Sequence, residues 1–492
     1  MKVTAIRLVN FAAFEDTGWI ELRPITLLFG RNSSGKSAII RALLLLKQSL
    51  DAKGEERPLA FVKENGLVDL GDFQTTVHRK PGEGPGESQQ KDYLERSIVF
   101  GFRCDLTGDP ILDRVRRLSG KSQEDQERLS SVELLIGFGW YDKSVRANLL
   151  ELRAVDLKAT VPPVVLLECK LLGESDVAGL DVQSGFILNS DVAQDAGLDE
   201  QTFGLHLRSE RGFWTSFANP MPQSFKALDD ILSAVQDGVA SFLQKIVHIG
   251  PIRPLPERTY IIRDTDQPRF EREGLKGWYT FLRDRLGQTD QAVLIADWMR
   301  RLGLADGVRV IADKDNRPVT RSQVSVDDKV EGVNIKDIGF GASQVLPVIV
   351  AAVLTEPDSL VIVEQPELHL HPRAQAELAD LFIEIVSRGP RSSAPAFLIE
   401  THSENLLLRF RVRLAQTTAY EDQELKLRQE DFGAIFVERG DLKASVEAIE
   451  FDELGAYVQQ PKGFVEFFGD DFNELQALRR ARTDAATKQN EE

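Results

Sequence analysis

Apolar and polar positions alternate along Val3–Val9 and again along Trp19–Leu22, the two-residue period of half-buried strands. They predict an edge hairpin leading into Ile25–Phe29, a continuous apolar run that reads as a buried strand. The next run, Ala38–Leu46, is apolar on nearly every side, as a helix covered all round would be. Strand signals return in Ser97–Cys104, Ser131–Tyr141, Val145–Val155 and Val164–Leu172, and they predict an antiparallel β lobe. Polar turns such as Gly173-Glu174-Ser175-Asp176 punctuate it. Residues 225–247 and 275–303 follow the helical period, with Leu228, Ile231, Leu232, Val235 and Val239 along one side of the first. The stretch Gly250–Arg258 between them holds three prolines, which rule out regular helix. No heptad pattern lasts long enough for an extended coiled coil. The distal half predicts an apolar helix over Val345–Leu354, buried strands at Ser359–Val363 and Ala396–Glu400, and a late strand at Asp431–Arg439.

A length of 492 residues suggests about three domains, and 42% hydrophobic residues suffice for a substantial core. Pro81-Gly82-Glu83-Gly84-Pro85-Gly86-Glu87-Ser88 is the clearest linker or flexible loop. No apolar run approaches a membrane span, and Met1-Lys2-Val3-Thr4 lacks a signal-peptide layout. Cys104 and Cys169 are too few for a disulfide framework, so a cytoplasmic protein is expected. A net charge of −17 favours solubility and gives no support for broad nucleic-acid affinity. It leaves room for a local basic patch. Arg114-Val115-Arg116-Arg117 reads as a solvated face.

Between the first buried strand and its helix lies Gly30-Arg31-Asn32-Ser33-Ser34-Gly35-Lys36-Ser37, which fits G-x-x-x-x-G-K-S. Strand, glycine-bounded loop and helix together make a phosphate cradle, because backbone N–H groups and the positive helix end face the anion. Lys36 is expected to reach the β- and γ-phosphates of ATP, and Ser37 to place its hydroxyl on Mg²⁺. Gln74, in the turn-rich stretch Asn65–Gln74, is of a type that could watch Mg²⁺ and γ-phosphate.

Three distal elements fit the same site. Gly339-Phe340-Gly341-Ala342-Ser343-Gln344 opens a helix and is again an anion-binding device. The second buried strand ends in Glu364-Gln365-Pro366-Glu367 and runs on through Leu368-His369-Leu370-His371-Pro372; an acid there suits Mg²⁺. The third element is the strand ending at Glu400, followed by Thr401-His402-Ser403. Together with the phosphate loop, this series resembles the ABC-type ATPase head. More narrowly it resembles the prokaryotic AAA-family ATPases of the overcoming-lysogenization-defect, RecF and SMC-like group, as found in anti-phage defence. The resemblance is strong over 1–75 and 330–410 and weak between. No E…D-x-D pattern of a Toprim nuclease domain accompanies it.

The resemblance implies an α/β fold: a P-loop ATPase head with a mixed or parallel sheet and inserted β-rich and helical lobes. The expected units are a discontinuous head from 1–80 and 325–460, a β-rich lobe over 81–245, a helical and Pro-rich lobe over 246–324, and a tail over 461–492. It further implies that two heads sandwich two ATP molecules, forming a homodimer or higher oligomer. Ser343, beside Gly341 and Gln344, would then contact the γ-phosphate held by Lys36 of the other copy. Glu364 stands where the Mg²⁺-organising acid is found, and His402 where the γ-phosphate-sensing histidine is found. The sequence departs from the family at Gln365, where a second acid usually polarises the attacking water. Slow hydrolysis, a base supplied by Glu367 or His402, and a Glu→Gln change that traps ATP are all compatible with it. His369 and His371 supply two of the three or four ligands a metal site needs and read as a turn at the dimer contact.

The resemblance, with no attached nuclease or transmembrane module, implies a dimeric ATP-driven switch controlling a separately encoded effector, a nuclease or toxin, in bacterial anti-phage defence. The alternatives are a DNA-repair or DNA-sensing ATPase using the β lobe and Arg253, Arg258 and Arg263, and an ATP-holding scaffold with little turnover. Phe464, Phe467 and Phe468 read as core or as a partner-docking patch, and Thr487–Glu492 as a disordered end.

Overall fold

The computed structural model describes residues 1–50, 58–63, 66–79, 97–141, 144–171, 185–188, 203–207, 215–217, 226–253, 258, 260–261, 290–305, 307–312, 319–325, 333–337, 340–388, 393–420, 425–440 and 443–467. The alternating N-terminal segment forms β1 (Lys2–Phe11), β2 (Phe14–Asp16) and β3 (Ile20–Glu21), with β1 antiparallel to both others. The apolar run becomes β4 (Ile25–Gly30), buried throughout, and α1 (Lys36–Leu50) follows the loop. A four-residue helix, α2 (Phe73–Thr76), is capped by Asp72. The β lobe contains β5 (Ile98–Asp105), β6 (Ser131–Tyr141), β7 (Ser144–Val155), β8 (Val164–Leu171), β9 (Gly185–Leu188), β10 (Phe203–Leu207) and β11 (Thr215–Phe217). Two short helices, α3 (Leu112–Leu118) and α4 (Gln123–Arg128), lie between β5 and β6.

Next come α5 (Lys226–Gln244), β12 (Val247–Ile249), β13 (Tyr260–Ile261), α6 (Asp290–Arg301), β14 (Gly307–Ala312), β15 (Val319–Ser325) and β16 (Val333–Asn334). The distal half supplies α7 (Phe340–Leu354), β17 (Leu360–Glu364), α8 (Pro372–Ser387), β18 (Ala396–Glu400) and α9 (Glu404–Ala419). It finishes with β19 (Phe432–Arg439), β20 (Ala444–Phe451), β21 (Tyr457–Gln459) and α10 (Lys462–Phe467).

These strands make a seven-stranded sheet in the order β12-β17-β18-β4-β19-β20-β21, parallel from β12 to β19 and antiparallel beyond. Successive residues of β4 face opposite ways, as strand geometry requires. Ile25, Leu27 and Phe29 join one core with α6, α7, α8 and α9, whereas Leu28 joins another with α1, α5 and the β lobe. Thus α1 lies between two sheets, which explains why its sequence is apolar nearly all round. Its buried amide and its buried hydroxyl are both used: Gln48 pairs with the backbone of Val68, and Ser49 Oγ accepts from Ala60 N–H at 2.9 Å. The fold is therefore α/β with a P-loop strand at the centre of a mixed sheet. Among the described residues no helix is long and apolar enough to cross a membrane.

Three expected boundaries move. The β lobe does not have a sheet of its own: β1 pairs with β5, Val3 opposite Cys104, so β1–β3 and β5–β11 form one ten-stranded sheet. The 246–324 segment contributes β12 to the ATPase sheet and Trp298 of α6 to its core, while β13–β16 make a separate four-stranded sheet. The start of the expected tail is anchored, because Phe464 packs edge-on against Phe29 and Phe436. The Pro81–Ser88 linker, residues 275–289, Phe468 and the last residues lie outside the described residues.

Candidate functional site

The phosphate loop is tight because two glycines hold it in backbone regions closed to other residues. At Gly30 (φ +151°) a Cβ would fall 2.4 Å from the Val437 carbonyl oxygen and 2.6 Å from Ser34 Oγ. At Gly35 (φ +116°) it would meet Phe14 Cζ at 3.0 Å. Ser33 itself is left-handed, with φ 62°. Asn32 and Ser33 crown the loop and are exposed, whereas Ser34 is only 2% exposed and its Oγ has no hydrogen-bond partner among the described residues. A buried orphan hydroxyl in a concave loop at the start of a 15-residue helix fits an anionic oxygen. Lys36, 4% exposed, turns its ammonium back over the loop and donates to Gly30 O at 2.8 Å and Arg31 O at 3.0 Å.

The acids arrive on neighbouring parallel strands. Glu364 and Glu400 are register partners at the C-terminal ends of β17 and β18, one strand apart. Glu400 touches both P-loop side chains: Oε2 accepts from Ser37 Oγ at 3.5 Å, and Oε1 lies 3.7 Å from Lys36 Nζ. Glu364 Oε1 lies 2.6 Å from His248 Nε2 on β12. Burial pushes the Glu400 carboxyl up to about 7 against the pull of Lys36, and Glu364 pushes it further. Burial likewise lowers the Lys36 ammonium, with Glu400 opposing.

A stability consequence follows from Glu400. Its folded value lies above its unfolded value, so its contribution is complete below the unfolded value and is lost as pH rises through about 7. The melting temperature of the wild type is expected to fall between pH 5.5 and 8 by a few °C more than that of Glu400→Gln, measured by calorimetry in the absence of nucleotide. Parallel curves would refute this.

Gln365 follows β17 in a left-handed conformation (φ 46°), with its N–H donated to Glu400 O at 2.7 Å. Its side chain makes no hydrogen bond among the described residues. Glu367 is 7% exposed; one oxygen accepts from His402 N–H at 2.8 Å, the other meets no hydrogen-bond geometry among the described residues, and burial raises its carboxyl against the His402 N–H and the Thr401 hydroxyl. The His402 ring stacks on Phe467 with centroids 5.6 Å apart. Its Nε2 is buried and has no hydrogen-bond partner among the described residues, and burial followed by the Lys36 charge lowers the imidazole, which favours the neutral ring.

Arg253 ties these parts together. It is 3% exposed and donates to Glu364 O at 2.7 Å, Gln365 O at 3.4 Å and Gln344 O at 3.1 Å, while Gln344 Nε2 returns a bond to Arg253 O at 3.0 Å. Burial lowers the guanidinium to about 10, with Glu367 and Glu364 opposing.

The phosphate loop, Glu364, Gln365, Glu367 and His402 are thus brought to one end of the sheet. Ser343 is on α7 but 2% exposed, so contact with a second copy requires it to be uncovered. Gly341 packs so closely on the 366–369 turn that a Cβ would lie 2.7 Å from His369 O, and Gly339 lies outside the described residues. Gln74 is exposed on α2, and no hydrogen bond joins its side chain to the loop among the described residues. His371 caps α8 by accepting from Arg373 N–H, and no cluster of three metal-ligating side chains occurs among the described residues. Arg253 is not available to a DNA backbone, Arg258 is paired bidentately with Asp337, and Arg263 lies outside the described residues. A cavity of about 470 Å³ lined by Trp19, Arg23, Thr26 and Phe432 lies at the other end of β4, away from this chemistry.

Glu400, His248, Arg253 and Phe467 were not assigned to the site by sequence. Glu400 carried the same signal as Glu364, an acid ending an apolar strand; the other three carried none.

Two family models match the chain. "AAA ATPase domain" covers residues 1–83, and "AAA domain, putative AbiEii toxin, Type IV TA system" covers 200–409. Both matches fall on segments that build the phosphate site and support an AAA-type, nucleotide-binding P-loop ATPase. No curated protein matches. Among solved structures the chain is similar to the SMC head domain from Thermotoga maritima, at 11% identity and TM-score 0.36, covering 92% of this chain and 100% of that one. It is also similar to the Smc head domain with an extended coiled coil, bound to the C-terminal domain of ScpA, from Pyrococcus furiosus. That match has 12% identity and TM-score 0.38, with 91% and 96% covered.

Proposed function

We propose that the protein is a Mg²⁺-dependent ATPase whose nucleotide state switches the association of two heads and, through it, a separately encoded effector. The observation that carries the ATPase reading is the convergence of Lys36, Ser37, Glu364, Glu400 and the orphaned Ser34 hydroxyl on one glycine-bounded loop. Ser34, Lys36 and the α1 N-terminus bind and orient the triphosphate. Ser37 with the nearby acids would hold Mg²⁺, which supplies charge neutralisation at the transferred phosphoryl group. Gln365 orients the attacking water, and His402 presents a neutral ring nitrogen toward the γ-phosphate. The description of the matched family as a putative AbiEii toxin of a type IV toxin–antitoxin system fits a defence setting, and the resemblance to defence ATPases supports a nuclease or toxin as the effector.

Steady-state hydrolysis of ATP by the purified protein, alongside its sedimentation with and without ATP, tests the reading. Gln365→Glu should keep ATP affinity and raise kcat on the order of tenfold, because a carboxylate can take the proton an amide cannot. A wild type that neither binds nor hydrolyses ATP removes the proposal. Turnover stimulated by DNA would instead favour a DNA-sensing ATPase.

A further inference from the structure

We propose that Glu400 makes nucleotide binding at this loop depend on Mg²⁺: it helps hold the cation, and it repels a triphosphate that arrives without one. The inference rests on the ATP-binding reading and goes past it, because Glu364 is the acid that strand order alone would choose. Glu364, however, is engaged with His248 at 2.6 Å. Glu400 is the carboxylate in contact with Ser37, whose hydroxyl donates to it at 3.5 Å, and it lies 3.7 Å from Lys36 Nζ.

The local charge balance points the same way. In this buried region Glu400 feels the charges of Glu364 and Glu367, offset by Lys36, while Arg253 offsets Glu364 and Glu367. Arg253 is committed to the carbonyls of Gln344, Glu364 and Gln365, which leaves Lys36 as the buried cation of the loop, with Arg31 exposed on its rim. Triphosphate oxygens drawn to Lys36 come within a few ångströms of Glu400, and above about pH 7, where its carboxyl is ionised, like charges this close in a protein repel strongly. A divalent cation between them turns that repulsion into attraction. Mg²⁺ accepts one or two carboxylates and completes its shell with phosphate and water, so it needs no closed protein cage. The absence of a three-ligand cluster among the described residues agrees with this. Independently, Ser34 Oγ in the same loop, buried and without a hydrogen-bond partner among the described residues, points to an anionic ligand there.

The test is the affinity of a non-hydrolysable β,γ-imido ATP analogue, measured by titration calorimetry in Mg²⁺ and in EDTA. Wild type, Glu400→Gln, Glu400→Asp and Lys36→Ala are compared, each checked for folding by circular dichroism. The wild type should bind about 100-fold tighter with Mg²⁺, and Glu400→Gln about tenfold or less, partly because its metal-free binding strengthens. Glu400→Asp, which keeps the charge, should retain the wild-type ratio. Equal ratios for wild type and Glu400→Gln overturn the inference, as does an equal collapse in Glu400→Asp, which would mark a packing effect. A folded wild type that does not bind even with Mg²⁺ defeats the ATP-binding reading itself.

Discussion

Lys36→Ala lowers ATP turnover by 100-fold or more, on the order expected for losing a preorganised charged donor at a phosphoryl-transfer site. Two loop carbonyls hold the Lys36 ammonium over the cradle, which limits the reorganisation it needs to meet phosphate. Removing a buried cation would ordinarily unfold its surroundings, because the partner acid is left charged in a poor solvent. Here the partner is Glu400, whose carboxyl already sits near 7 with Lys36 present. Without Lys36 it moves higher still and takes a proton at neutral pH. The variant is therefore expected to fold, with wild-type circular dichroism, but to lose the rise in melting temperature that ATP with Mg²⁺ gives the wild type. Turnover within threefold of wild type would sink the assignment of the loop as the catalytic nucleotide site.

The parts of this site that sequence revealed are those in which the chemistry and the chain are local. Ile25–Phe29, the glycine-bounded loop and the apolar helix form one continuous segment, so pattern and position agree. Glu364 was legible because an apolar strand that ends in an acid aims it at the sheet's ligand-binding end. What was hidden depends on pairing over distance. A two-residue period states which residues share a face, not which strand lies alongside, so the union of β1 with β5 was invisible across nearly a hundred residues. Arg253 was read as a cation among prolines, available to DNA. Its actual partners are carbonyls of α7 and of the turn after β17, elements with no sequence feature that calls for an arginine. Phe467 gave only an apolar cluster near the end of the chain; that it covers His402 follows from where α10 docks on β4 and β19.

Arg253→Ala should cost about 3–5 kcal/mol of stability and most of the turnover, although Arg253 is not proposed to touch nucleotide. Its guanidinium is planar and forked, so it reaches the end of β17 and the first turn of α7 together. Alanine leaves those carbonyls without their donor and removes the cation that offsets Glu364 and Glu367. Glu367 is already pushed up by burial, and losing Arg253 raises it further. An acid whose folded value is raised loses its stabilising contribution as pH rises, so the deficit grows from pH 6 to pH 8. Arg253→Lys should recover only part of the loss, since a single ammonium cannot span both elements. Urea unfolding at the two pH values, run beside steady-state turnover, measures both effects. A variant within about 1 kcal/mol of wild type at both pH values would mean that Arg253 is a spectator, because ordinary surface changes are no larger. If stability falls while kcat stays at the wild-type level, the contact holds the fold together but does not set the geometry of Glu364 and Gln365.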